Sequence, residues 1–589
     1  MTAESERLAL AAEFPRPTRE QWQRLVEGVL AKSGKPGLAG EAAEDALSTR
    51  LPGALRVRPL YTAADLPDGL RGRPPLGGTE DASPELGFPG FAPFARGGRA
   101  QGAAVSGWDI RQFHQRPEAR ATNEAVLADL ECGATSLWLA VGGGNLPIEA
   151  LPEALDGVYL DLSGIVLDAG AEFAAAAEQL FALYATRKVP DDAVSGSLGA
   201  DPLGVLARTG RDEATEQLST RAAALAARCA RSHPGMRALT VDALAYHDAG
   251  ASADEELGCS LATAVAYLRD LVAAGLSVDE AAGQLEFRYA ADTDQFLTIA
   301  KLRAARRLWA RVAQVSGVTP GSGGAAQAQH AVTSPAMMTE RDPWVNMLRT
   351  TVACLAAGVG GADAVTVLPF DAALGLPDDF SRRIARNTQS ILLEESHLAR
   401  VIDPAGGSWY VESLTEQLAR AGWAWFQEIE RAGGQRAALR GGLVGERLAA
   451  TAAERAANLA KRREPITGVS EFPNLAEQPV PRDPAPARAG GGLPRIRRAE
   501  RFERLRTRSD AHLAATGARP RLVLAALGPA AVHTARSSFA ANLFQAGGIE
   551  TVLVEVGQDA AASAEQIAAD GAPAAACLCS SDALYAEQA

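Results

Sequence analysis

The residues in this 589-residue chain whose types and spacing suit chemistry are two histidines, an aspartate pair, a glycine triplet and a basic helical cluster. His247 stands just past an apolar, strand-like run, Arg237–Ala243. An imidazole there suits a loop. It equally suits a partly buried ring held by a neighbouring carbonyl or carboxylate. His533 lies shortly after the apolar stretch Arg521–Leu527. That is a place for an ordinary histidine in a loop or at a helix N-terminus. Asp161 and Asp168 flank Leu162–Leu167, and with no third ligand beside them they predict no metal site. Gly142-Gly-Gly144 follows a strand-like run but lacks the GxGxxG spacing of a phosphate cradle, so it predicts a tight strand-to-helix turn. Lys301, Arg303, Arg306 and Arg307 recur at helical spacing and are read as a solvated or interface face rather than a phosphate site.

Those residues must be positioned by regular elements. Strand-like runs occur at Ser136–Val141, Val158–Leu162, Arg237–Ala243, Leu285–Ala290 and Ala364–Phe370. Helical runs alternate with them, at Glu118–Glu131, Ala171–Ala185, Asp254–Ala274, Asp294–Val315, Trp344–Gly358 and Asp379–Glu394. Near-continuously apolar strands alternating with helices predict a parallel α/β architecture, and the span is that of a (β/α)8 barrel with insertions. Periodicity alone does not locate all eight strands. Residues 1–95 form an N-terminal arm, with a helix at Thr18–Ala31 and a Gly/Pro-rich stretch, Leu66–Gly98, suited to wrapping a partner. The barrel takes residues 96–430, and residues 431–518 form a helical, then Pro/Gly-rich, linker. Residues 519–589 alternate strand and helix again. With three strands they form an incomplete parallel, flavodoxin-like α/β domain.

The bulk numbers exclude several classes. Net charge is −13 and no basic stripe tracks along the chain, so nucleic acid is not expected as a partner. No apolar run is long enough to cross a membrane, and Met1–Phe14 lacks the apolar core of a signal peptide. Six cysteines with no CxxC pair and no zinc-type His/Cys spacing fit a reduced, cytoplasmic protein.

Six ordered segments carry a family likeness. Trp108-Asp-Ile-Arg-Gln-Phe113 resembles WTIRQY, and Ala249-Gly-Ala-Ser-Ala-Asp254 resembles AGATAD. Ile299–Trp309 resembles AKLRAARxLWA, and Thr339-Glu-Arg-Asp-Pro343 resembles TEQDP. Phe380–Gln389 resembles FSARIARNTQ, and Arg400–Pro404 with Gly407-Ser408 resembles RVIDPxxGS. Together they resemble the adenosylcobalamin-dependent methylmalonyl-CoA mutase family over most of residues 105–430. The resemblance implies a split (β/α)8 barrel that threads acyl-CoA along its axis in a catalytic chain. It also implies a tail domain that holds cobalamin, and the interconversion of methylmalonyl-CoA and succinyl-CoA.

Carried over position by position, the resemblance implies that this copy is inert. The family's DxHxxG cobalamin motif falls on Ala530, Val532 and Ala535, none of which can ligate cobalt or orient a ligand, with His533 one place late. The tyrosine beside the reacting centre becomes Ala103, a nearby arginine becomes Ser106, and the substrate-contacting glutamine becomes Gly199. The thioester-binding histidine becomes Ala245 without gaps, or His247 with a two-residue gap. A polar HTNS strand end aligns with Thr366-Val-Leu-Pro369, which predicts an apolar, packed barrel core. The family includes heterodimers of a catalytic large chain and an inert small one. This chain is therefore expected to bind no cofactor itself and to partner a catalytic large subunit that holds adenosylcobalamin. The open alternatives are a mutase in its own right with a displaced cobalt ligand, and an acyl-CoA-binding regulatory module.

Overall fold

A computed structural model describes residues 13–15, 17–53, 55–66, 87–557, 559–569 and 575–588. Eight parallel strands close a barrel: β1 Asp109–His114, β2 Ser136–Ala140, β3 Gly164–Asp168, β4 Ser195–Ala200, β5 Gly235–Asp242, β6 Leu285–Ala291, β7 Ala328–Thr333 and β8 Ala364–Thr366. They follow one another in chain order around the barrel, and β8 closes on β1 through Ala364 opposite Asp109. Most are buried on both faces, which is why runs such as Ser-Leu-Trp-Leu-Ala in β2 read as continuous rather than alternating.

The described helices used below are α1 Arg19–Lys32, α2 Ala119–Glu131, α3 Phe173–Arg187, α4 Pro202–Thr209, α5 Thr215–Ser232, α6 Ala253–Ala273, α7 Gln295–Ser316, α8 Val345–Val359, α9 Asp379–Ser390 and α10 Trp409–Arg431. Local chemistry starts several of them. The side chain of Thr18 caps α1 and Gln21 reaches back to the Thr18 N–H. Ser252 and Glu255 do the same for α6, and Asp294 accepts from the Leu297 N–H at the head of α7. Gly317, at φ 84°, ends α7 in the left-handed conformation that a Cβ disfavours.

Four strand assignments differ from the sequence reading, which did not set apart β1, Asp109–His114, as a strand. Val158–Leu162 is turn, with Tyr159 and Leu162 exposed, and the strand lies instead at Gly164–Asp168. Apolar character there reflects surface packing of a loop, which periodicity does not distinguish from a strand. β4 and β7 escape recognition because Ser-Gly-Ser-Leu-Gly-Ala and Ala-Gln-His-Ala-Val-Thr contain few strand formers. In β4 the glycines are required by close approach to β3. A Cβ on Gly199, at φ 68°, would overlap the carbonyl oxygen of Leu167, and the β4–β5 register shifts between Ser197 and Ala200.

The basic face of α7 is corrected outright. Lys301, Arg303 and Arg306 are buried, because α7 is sandwiched between the barrel and α10 rather than facing water. Lys301 pairs with Glu256 at 2.6 Å. Arg303 bridges Asp403 and Glu412. Arg306 donates to the carbonyls of Phe94, Ala95 and Gly360 and to Oε1 of Gln329, tying the chain before the barrel to α7, to the end of α8 and to β7. Only Arg307 is partly exposed, on Glu416. Of the Gly/Pro-rich arm stretch, residues 67–86 lie outside the described residues. Phe94 and Ala95 are buried, and their carbonyls accept from Arg306.

Beyond α10 come α11 Leu443–Ala460, α12 Glu500–Thr516, β9 Arg521–Leu527, α13 Ala530–Ala546, β10 Glu550–Val556, α14 Ala560–Ala569 and β11 Ala576–Cys579. The last three strands form a parallel sheet in the order β10-β9-β11. Replacing Arg303, which is fully buried between two carboxylates, strands both charges. Arg303→Met is therefore expected to lose about 3–5 kcal/mol of barrel stability in denaturant titrations. A loss under about 1 kcal/mol would contradict the sandwich role assigned to this face.

Candidate functional site

The barrel axis is filled by side chains from opposite walls. At the end where the strands begin, Arg111 of β1 pairs with Glu286 of β6 at 2.8 Å and with Asp109 at 3.0 Å. One layer up, the Arg288 guanidinium of β6 lies 4.1 Å from the ring centroid of Trp138 on β2, four strands away in either direction. Arg288 also donates to Asp242 at 3.0 Å and to Nδ1 of His330 at 3.1 Å. Burial, together with Arg111 and Arg288, holds the His330 imidazole far below the usual histidine range, so it stays neutral. Its Nε2–H then donates to Thr366 Oγ1 at 2.8 Å, and Thr366 donates to the Arg111 carbonyl at 2.9 Å. The filling is thus aromatic and charged. The apolar core expected from the Thr366–Pro369 alignment is corrected, because buried arginines here find carboxylates, an imidazole and an indole face within reach.

Above this plug, at the ends of the strands, lies a cavity of about 1320 Å³. Its floor includes Phe113, Trp138, Val332 and Leu368, and its far wall is residues 487–497. The Pro/Gly-rich segment is therefore a strap across the barrel mouth. It is pinned on one side where Asp483 accepts from the Leu376 N–H and Arg482 meets Asp371 at 2.5 Å. On the other side the Gly492 and Leu493 N–H groups donate to the carbonyls of Arg208 and Ala207. A Cβ at Gly492 would overlap the Ala207 carbonyl, so glycine lets strap and α4 meet backbone to backbone. Ile496 N–H and Arg498 N–H continue the seam to Asp248 and Ala336.

The residues singled out in the sequence do not converge. Ala245 lines the cavity. His247 is not among its lining residues. It is buried, with Nε2 2.7 Å from Ser334 Oγ and Nδ1 3.4 Å from Glu256, whose other partner is Lys301. Ala103 and Ser106 sit in the turns ahead of β1, at the other end of the barrel from the cavity. Gly199 is in the kinked β4. Gly142–Gly144 make a turn with positive φ throughout, closed by Gly142 N–H on the Leu146 carbonyl. Asp168 lines the cavity, and no group of three or more metal-ligating side chains occurs among the described residues.

In the tail, the segment expected to loop after the first strand is helical from Ala530 onward. Ala530, Val532 and Ala535 offer no atom that ligates cobalt. The His533 ring is 3% exposed on the buried face of α13, with neither nitrogen hydrogen-bonded. These residues do not fit a cobalamin ligand set. The sequence reading missed Trp138 and Arg288. Arg288 sits in an otherwise unremarked strand, and only the pairing of β2 opposite β6 signals it.

One carboxyl under the cavity titrates unusually. Asp201 accepts from Tyr267 Oη at 2.5 Å and from the Gly204 N–H at 3.1 Å. Burial, with the charge of Asp242 adding, pushes its pKa up to about 6 although Arg208 lies 3.5 Å away. A folded-state pKa above the unfolded value of 3.8 favours the protonated native state. That contribution is fully present below about pH 4 and is lost as pH rises through 6. Asp201→Asn is expected to flatten the stability slope across this window. Thermal midpoints of both proteins over that range check it, and equal slopes would rule Asp201 out as the source.

The described residues contain no helix long and apolar enough to cross a membrane. A family profile described as methylmalonyl-CoA mutase matches residues 52–144 and 146–538. The chain is 65% identical over 582 residues to a methylmalonyl-CoA mutase small subunit of Streptomyces virginiae, covering 99% of this chain and 91% of that protein. It is 41% identical over 585 residues to the methylmalonyl-CoA mutase small subunit of Propionibacterium freudenreichii subsp. shermanii, covering 99% and 87%. A methylmalonyl-CoA mutase of Escherichia coli (strain K12) is 30% identical over 483 residues, covering 77% and 64%. With a closed eight-stranded barrel, a parallel tail sheet and likeness along nearly its whole length, the chain belongs to the methylmalonyl-CoA mutase family.

Proposed function

We propose that the chain is the non-catalytic subunit of a cytoplasmic, heterodimeric methylmalonyl-CoA mutase, supporting a large subunit that holds adenosylcobalamin and interconverts methylmalonyl-CoA and succinyl-CoA. The carrying observation is the stack of Arg288 on Trp138, from opposite walls at 4.1 Å. A thioester arm has no path along an axis closed in this way. The alanine and valine side chains at the tail positions, and the inward-turned His533, support the same reading. Adenosylcobalamin supplies the radical when bound, and this chain's part is structural.

Small-subunit relatives carry a name that implies a larger partner. The arm offers a docking ridge for it. On α1, Val26 and Leu30 pack inward with Ala43, while Leu25 and Val29 stand exposed one turn apart. A partner that binds only the folded chain also stabilises it by mass action.

Purified alone, the chain is expected to carry no cobalamin, to bind no methylmalonyl-CoA in calorimetric titration, and to turn nothing over. Activity is expected only in a complex with the co-expressed large subunit. Stoichiometric cobalamin and turnover in the lone chain would overturn the proposal in favour of a displaced His533 ligand. Tight CoA binding without turnover would favour a regulatory module. In pull-downs, Leu25→Glu with Val29→Glu is expected to weaken capture of the large subunit without lowering the thermal midpoint of this chain. Unchanged capture would move the interface elsewhere.

A further inference from the structure

The sheet of the tail ends on an open strand. The order β10-β9-β11 leaves β10, Glu550–Val556, with no described strand on its outer side. The Glu550 N–H points inward and donates to the Pro520 carbonyl at 2.9 Å. Backbone groups alternate in direction along a parallel strand, so Thr551, Leu553 and Glu555 turn theirs outward. The Glu555 carbonyl bears this out, accepting from Nε2 of Gln566 at 3.1 Å. An open edge is ordinarily blunted by a lysine, a proline, a bulge or a covering side chain. The opposite edge is blunted in this way. β11 has only four residues, and the Tyr585 hydroxyl donates to its Leu578 carbonyl at 3.0 Å. β10 reads Glu-Thr-Val-Leu-Val-Glu-Val, in unbroken register with β9 and without proline or lysine. Leu553 lies beside Leu524, which packs with Ala540 of α13. Leu524 is 3% exposed and Leu553 49%. The apolar layer under α13 thus runs out to the rim of the sheet and stops uncovered.

We propose that β10 pairs with the β10 of a second copy of this chain, antiparallel about a two-fold axis at Leu553, joining the two three-stranded sheets into one. The strand is complementary to itself in that register. Leu553 opposes its twin, exchanging both backbone hydrogen bonds and covering both exposed side chains. Thr551 opposes Glu555, hydroxyl to carboxylate, and Val552 opposes Val554 on the other face. Moving the axis to Glu555 would set two carboxylates face to face, so charge selects the register. A two-fold contact closes at two copies and does not run on into fibres. Gln566 is the side chain that must share or release the Glu555 carbonyl. The pairing uses neither the barrel axis nor the α1 ridge. It goes beyond the proposed heterodimer, two of which it would join tail to tail, and does not rest on that reading.

Sedimentation of the full chain over a concentration series tests the proposal, with Leu553→Lys and the control Leu578→Lys beside the wild type. Amide exchange of the wild type is followed at both ends of the series. A reversible dimer is expected, with a Kd of about 10–100 µM, since one strand edge is a small contact of the weak class. Raising the concentration is expected to slow exchange at Thr551, Leu553 and Glu555. Leu553→Lys is expected to weaken self-association about tenfold or more at an unchanged thermal midpoint, while Leu578→Lys leaves it unaltered. The exchange measurement needs no variant, so a folding defect in Leu553→Lys does not blunt the test. A chain that stays monomeric throughout, or a dimer whose edge amides exchange as in the monomer, overturns the proposal. Edge amides that slow only when the co-expressed large subunit is present would give the strand to that partner and overturn pairing with a second copy. Self-association lost in Leu578→Lys and kept in Leu553→Lys would overturn it in favour of β11.

Discussion

The stack of Arg288 over Trp138 is the contact on which the barrel's character turns. It joins strands that face each other across the axis, so it fills the bore between them. A guanidinium in that position is tolerable only because Asp242, His330 and the indole face each meet one side of it. Those partners in turn dictate the rest. Asp242 also holds Arg208, which borders the cavity, and neutral His330 passes its hydrogen bond through Thr366 to the first strand. A ligand channel needs a bore lined by small polar groups; here the same volume is occupied by interlocking charge and ring.

Closure continues at both ends of the axis. Arg111 and Glu286 seal the side where strands begin, while the strap covers the side where they end. The strap's composition follows from that task. Prolines keep it extended, and glycines let it lie directly on the carbonyls of α4. What it encloses is a chamber separated from the axis by the plug. The mouth cavity and the closed axis beneath it are thus separate features of one barrel.

Much was legible where local chemistry is decisive. The caps at Thr18, Ser252 and Asp294 announce α1, α6 and α7, and the apolar runs at Ser136–Ala140 and Leu285–Ala291 announce strands. β4 was not legible, because its glycines answer to the carbonyls of a neighbouring strand rather than to any strand preference. The arginines of α7 were misread for a similar reason. Their spacing says only that they share helix faces, whereas their burial depends on Asp403, Glu412 and the Phe94 carbonyl, far away in the chain.

The sequence by itself determined the family, the alternating α/β plan and the chemical poverty of the tail positions, since alanine and valine lack donor atoms in any fold. Tertiary structure alone decided whether the barrel is open, where His247 points and what the Pro/Gly-rich segment covers. Those outcomes depend on which side chains meet across the axis and over the mouth. Such meetings join residues far apart in the chain, Trp138 and Arg288 by 150 positions, so no local pattern records them.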